Sequence, residues 1–180
     1  MHSFIEKLLE EHGEIRDLLR ILAAEATRME EGEDANDGVI LDILLYMTHH
    51  PDLFHHPNEE LMFSRLMMYM THEPEAIRQL RGEHRSIADF AERLMDDVRA
   101  RINDLSEPQD DVAAECRQYI DQMHEHMALE ESEAFPLCQE HLEAADWEWI
   151  ETRAKIRETP FARDLARRHV SFYRRILEEA

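Results

Sequence analysis

The sequence predicts an all-α protein: an up-down-up-down four-helix bundle with two extra C-terminal helices. Only four glycines and six prolines interrupt 180 residues rich in Leu, Ala, Met, Glu and Arg, all good helix formers. No sustained period-two alternation argues for strands, whereas apolar residues recur at the three- and four-residue steps of a helix face. One pattern of His and Glu residues also occurs twice, about 71 residues apart, which points to two similar halves facing a common centre.

The first helix is expected from about Ser3 to Glu30, because Leu8, Leu9, His12, Ile15, Leu18, Leu19 and Leu22 fall on one face. The polar stretch from Glu31 to Gly38 ends it. A second helix is expected from Val39 to about Thr71. Within it Pro51 and Pro57 each remove a backbone donor, which predicts a kink or restart between them, around His55. The third helix starts at Glu73-Pro74-Glu75, where proline suits a first turn and acids suit the positive end of the dipole, and runs to about Asn103. Ser106-Glu107-Pro108 starts the fourth, which carries Val112, Cys116, Tyr119, Ile120, Met123, His126 and Met127 inward and ends near Pro136 to His141. Shorter helices around Ala144 to Arg157 and Phe161 to Glu178 follow. These bounds divide the chain into a bundle over residues 1–141 and a helical extension over 142–180, packed on the same domain.

Composition narrows the function. Asp and Glu number 41 against 20 Lys and Arg, a net charge of −21, so the phosphate backbone of nucleic acid is repelled and cations are attracted. The N-terminus lacks the apolar core of a signal peptide, and no apolar run of about 18 residues offers a membrane span, so a cytoplasmic protein without a membrane partner is expected. Cys116 and Cys138 stand about six turns apart on one expected helix, too far to bridge, and read as buried free thiols.

The duplicated pattern carries the chemistry. Glu11-His12 with Ile15 is echoed by Glu83-His84 with Ile87, and His55 with Glu59 is echoed by His126 with Glu130. Residues four apart share a helix face, so each His–Glu pair can aim an imidazole and a carboxylate at one point. His12 and His84 lie about nine residues after their helix starts, and the two pairs lie about 8 to 16 residues before their helix ends. With a rise of about 1.5 Å per residue, antiparallel packing brings all six to one height at one end of the bundle. Imidazole mixed with carboxylate suits iron, manganese or zinc better than calcium or magnesium. Four His and two Glu exceed one tetrahedral zinc and fit two octahedral-type ions bridged by the carboxylates. A di-iron centre is the natural reading, and two non-haem iron ions with an oxo or hydroxo bridge are the expected cofactor.

These segments resemble the haemerythrin-like, or HHE cation-binding, family: Glu11-His12-Gly13-Glu14-Ile15, His55-His56-Pro57-Asn58-Glu59-Glu60-Leu61-Met62-Phe63, Glu83-His84-Arg85-Ser86-Ile87, and His126-Met127-Ala128-Leu129-Glu130-Glu131 through Phe135-Pro136. The resemblance covers about residues 3 to 141. It implies that His12, His55, His84 and His126 bind iron terminally while Glu59 and Glu130 bridge. His56 with Glu60 has the same spacing as His55 with Glu59; the apolar Leu61-Met62-Phe63 that follows matches the family's bridging carboxylate and favours Glu59. His124 lies about 200° around the helix from His126, so only one of them faces the centre. The chain departs from the oxygen-carrying haemerythrins, whose third helix supplies two histidines four residues apart, because Leu80 and Ala88 stand four before and four after His84.

The resemblance thus implies a protein that binds a small diatomic or peroxide-type ligand, such as O2, NO or peroxide, for stress response, sensing or iron handling. A di-iron oxidase or peroxidase is the rival reading, and a helical interaction module with a structural metal a third. Ferritin-like enzymes use Glu-x-x-His on two helices, which this chain lacks. The two C-terminal helices are candidates for pairing chains into a homodimer. Met62, Met67, Met68, Met123 and Met127 read as core filler, and Trp147 and Trp149 as packing for the fifth helix. Tyr119, on the face of His126, reads as either a core residue or a hydrogen-bond partner of the centre. His49, His50, His72, His141 and His169 lie outside the duplicated pattern and read as surface residues.

Overall fold

The computed structural model describes residues 1–103, 109–157, 171 and 173–178, and among them there is helix but no strand. Helix α1 spans Ser3–Glu30, as its apolar face predicts; the His2 Nδ1 accepts from the Phe4 N–H at 3.2 Å and caps its start. Gly32, at φ 73°, turns the chain out of it in the left-handed region that glycine tolerates. Helix α2 spans Asp37–His50 and opens on Asn36, whose Oδ1 accepts from the Val39 N–H at 3.2 Å. The Asn36 N–H in turn donates to the buried Glu25 carboxylate at 2.7 Å, fastening the α1–α2 connection.

A π-helical turn, Pro51–His55, separates α2 from α3, His56–Leu66, so regular α-helix is interrupted and restarts where a kink or restart was expected. The expected end at Thr71 is not reached. The last turn tightens through Met68 N–H to Arg65 O and Tyr69 N–H to Leu66 O, and the chain leaves the helix where it exposes Met68 and Tyr69. Helix α4 spans Glu75–Ile102 and α5 spans Gln109–Leu129; the expected start of α5 at Ser106 lies outside the described residues. A second π-helical turn, Glu130–Ala134, leads into α6, Phe135–His141, and α7 follows over Ala144–Arg157. A proline stands two residues beyond each π turn, Pro57 and Pro136, where the missing N–H and the ring's clash with the preceding turn favour a wider backbone. The expected helix at 161–178 falls mostly outside the described residues, of which 173–178 are helical.

Cross-helix bonds fix the directions of packing. Arg117 on α5 donates to Thr27 Oγ1 and Glu30 at the end of α1, while Glu131 meets His12 nearer its start, so α1 and the α5–α6 stretch run antiparallel. Arg101 near the end of α4 donates to Asp37 at the start of α2 at 2.8 Å, and Arg81 near the start of α4 donates to Glu60 on α3. Glu83 meets His126 across α4 and α5.

The interior divides into two apolar clusters. The larger holds Ile15, Leu18, Leu19 and Leu22 of α1 against Ile40, Leu44, Leu94, Cys116 and Tyr119. The smaller holds Phe4, Ile5 and Leu8 against Met62, Phe63, Leu80, Phe135, Trp147 and Ile150. Along each helix the sequence switches from one cluster to the other across the duplicated His and Glu residues: Leu8 and Ile15 flank His12, and Leu80 and Ile87 flank His84. The polar residues form one layer nearer one end of the structure, as their heights predict, but that end is closed by the smaller cluster. Trp147, buried, and Trp149, under the Arg65 and Arg153 guanidinium groups, lay α7 on α3, where the buried Asp146 accepts from Arg65 Nε and Tyr69 OH at 2.5 Å each. Of the methionines read as core filler, Met62, Met123 and Met127 are buried; Met68 is instead exposed, its sulfur meeting Arg65 Nη1 at 2.9 Å.

Candidate metal centre

The layer gathers His12 from α1, His55 from the end of the first π turn, Glu59 from α3, His84 from α4, His126 from α5 and Glu130 from the start of the second π turn. His12, Glu59 and Glu130 are fully buried and His55 and His126 nearly so; the His84 side chain is 18% exposed. Each carboxylate divides its oxygens between two histidine pairs. Glu59 turns Oε1 to His55 Nε2 at 3.0 Å and Oε2 to His84 Nε2 at 3.5 Å. Glu130 turns Oε2 to His12 Nε2 at 3.1 Å and Oε1 to His126 and His84 Nε2 at 3.2 and 3.7 Å. The four donors of His12, His55, Glu59 and Glu130 lie within 4.8 Å of one another.

Outer carboxylates set the histidine tautomers. The Nδ1–H of His55 donates to Glu11 at 2.7 Å, that of His126 to Glu83 at 2.9 Å, and that of His12 to Glu131 at 2.7 Å, where Arg16 also holds Glu131 at 2.5 Å. A carboxylate only accepts, so in each ring Nδ1 keeps its proton and Nε2 is the atom left to face the centre. His12 and His55 then point two Nε2 atoms at each other across 3.1 Å. Both oxygens of Glu59 and of Glu130, with the Nε2 atoms of His84 and His126, are buried with no well-formed hydrogen bond. Uncompensated buried charge costs on the order of several kcal/mol per ion. Converging lone pairs and carboxylates of this kind fit cations, and the donor set of imidazole with carboxylate fits a transition metal.

Without a cation the field of the carboxylates falls on the rings. Burial pushes the His126 imidazolium down, but the Glu130 and Glu83 carboxylates outweigh it and hold the group up at about 9. Burial likewise disfavours charge on His55, and Glu59 and Glu11 overcome it, raising the ring well above the ordinary histidine range. The reciprocal effect lowers Glu130: burial opposes its ionisation and the facing His12, His126 and His84 outweigh burial.

All six residues singled out by the duplication meet in this layer. The neighbours left open by spacing sort themselves by burial: Glu60 lies outside the layer, held by Arg81 and by Ser64, and His124 is exposed. His56 does not leave: its ring stacks on His84 with centroids 3.9 Å apart. Leu80 is buried in the smaller apolar cluster. Tyr119 is buried, its ring edge-on to Phe90. His49 and His72 are exposed and His141 is half-buried; the side chain of His50 and all of His169 lie outside the described residues. Cys116 and Cys138 are free and buried. Sequence reasoning assigned no role to Glu11, Glu83 and Glu131. The signal for two of them was present, since Glu11-His12 and Glu83-His84 repeat as dipeptides and each Glu serves the histidine of the neighbouring helix rather than its own neighbour.

Among the described residues no helix is long and apolar enough to cross a membrane. A family model described as the Hemerythrin HHE cation binding domain matches residues 3–138. Comparison with the curated proteins gave no match, and comparison with solved structures gave none.

Proposed function

The chain belongs to the haemerythrin HHE cation-binding family, and on that premise we propose that it is a non-haem di-iron protein binding a small ligand such as O2, NO or peroxide, in stress response, sensing or iron handling. The observation that carries the reading is the division of the Glu59 and Glu130 oxygens between two pairs of histidines. In it His12 and His55 would hold one ion, His84 and His126 the other, and Glu59 and Glu130 would serve both, with an oxo or hydroxo group expected to complete the pair. The scaffold is an up-down-up-down bundle over residues 1–141, with 142–180 packed on it as an extension, and the setting is cytoplasmic.

When bound, such a pair of ions would supply open coordination positions and redox chemistry for a small diatomic or peroxide ligand. The protein's part is to hold that pair in a largely buried layer. Glu11, Glu83 and Glu131 keep the Nδ1 protons in place, so the Nε2 atoms stay available. Leu8, Leu80, Phe135, Ile15 and Ile87 wall the layer on its two apolar sides, and its access to solvent is at His84, whose side chain is 18% exposed. Leu80 and Ala88 deny the α4 helix a second histidine at ligand spacing, so that helix offers the centre His84 alone. Anaerobic titration of the iron-loaded protein with NO, O2 and peroxide, followed by absorption and by product analysis, tests the reading. Spectral change without product supports a binding protein, and steady turnover supports the rival oxidase or peroxidase.

A further inference from the structure

We propose that His56 is a further ligand of the ion assigned to His84 and His126, so that the two ions carry three and two imidazoles. This rests on the two-ion reading above. The duplication keeps residue type at each of the six ligands but fails at the position after the helix histidine: His55 is followed by His56, whereas its counterpart His126 is followed by Met127, a buried member of the larger apolar cluster. The His56 ring lies against His84 at 3.9 Å with planes 16° from parallel, and edge-on to His126 at 6.3 Å. A donor atom from each of His56, His84 and His126 falls within 4.8 Å of the other two. Bonds of about 2.1 Å span roughly 4 Å across one ion, and joint ligation requires His56 and His84 to turn out of their parallel stack so that each in-plane lone pair meets the ion.

The backbone explains why two successive histidines reach one layer. Neighbours in a regular α-helix stand about 100° apart, which sends one of them off the ligand face. The π turn Pro51–His55 ends immediately before His56, and its wider winding lets His55 address His12 and Glu59 while His56 addresses His84. In the other half the π turn begins at Glu130, after His126 and Met127, so those two stay in regular helix and diverge. The halves also differ behind the rings. Glu131 accepts from His12, whereas Glu60, its counterpart in the first half, is held by Arg81 at 2.9 and 2.6 Å.

The alternative is that His56 only packs on His84, and two substitutions separate the roles. His56→Phe keeps a ring to stack but cannot ligate, and His56→Ala keeps neither. Full-length wild type and both variants are titrated anaerobically with Co2+, followed by calorimetry and by cobalt ligand-field absorption, with the melting of each metal-free protein as the folding control. The expected result is that wild type takes two ions, while both variants keep one at wild-type affinity and bind the other at least about 10-fold more weakly with an altered cobalt spectrum. Wild-type affinity for both ions in His56→Phe, or an equal loss at both, overturns the assignment of His56. Fewer than two ions in the wild type overturns the two-ion reading itself.

Discussion

Replacing Glu11 by Gln removes the carboxylate that holds His55 and leaves every inward donor in place. Glu11 accepts the His55 Nδ1–H at 2.7 Å, and its side chain is 15% exposed, so this charge-assisted bond is shielded from water. Glutamine fits the same space but carries no charge and can present an amide N–H to Nδ1, which favours the tautomer that puts a proton on Nε2, where the metal must bind. Loss of such an outer partner lowers metal affinity about 10–100-fold, which is about 1.4–2.8 kcal/mol. Glu83→Gln acts on His126 through a 2.9 Å bond to a carboxylate that is 26% exposed, so its effect belongs to the lower part of that range. Anaerobic calorimetric titration with Fe2+ should show Glu11→Gln weakening the ion at His12 and His55, Glu83→Gln weakening the ion at His84 and His126, and Glu10→Gln, at an exposed neighbour, weakening neither. Glu11→Gln behaving like Glu10→Gln, or depressing both ions equally, would refute the reasoning.

Glu59→Gln or Glu130→Gln should release both ions together, because each carboxylate faces both histidine pairs, whereas His12→Ala should weaken one ion first; metal analysis after dialysis distinguishes these, and equal, independent losses in all three contradict bridging. Burial pushes the Cys116 and Cys138 thiols up to about 12, so both stay protonated at pH 8 and a thiol reagent should leave them unmodified until the protein is denatured; prompt labelling of the native protein would contradict their placement. Asp146→Ala strips the acceptor shared by Arg65, Tyr69 and the Glu143 N–H, which should cost about 1–3 kcal/mol and lower Tm by several degrees, with α7 becoming the first site of limited proteolysis; an unchanged Tm would show that α7 docks without that network.

The helical fold and the six central residues are legible in the sequence for one reason: spacing determines which residues share a helix face, and the duplication repeats that spacing. Ser3–Glu30 is readable to the residue because Leu8 through Leu22 keep one stripe and Gly32 ends it. The end of α3 is not, because Met67, Met68 and Tyr69 continue a helix-compatible composition while the fully buried positions stop at Leu66. Contacts across helices are the harder part. That Glu11 serves His55 and Glu83 serves His126 depends on how two helices meet, to which spacing along one helix is blind. The same holds for His56: a regular helix sends it away from His55, and only the π turn brings both to the layer.

A crystal structure of the iron-loaded protein, with anomalous diffraction at the iron edge, tests the central claim most directly. The account predicts two iron peaks about 3.5–4 Å apart, one against His12 and His55, the other against His84 and His126, with the Glu59 and Glu130 carboxylates between them. A single peak, or two peaks that share neither carboxylate, would contradict it.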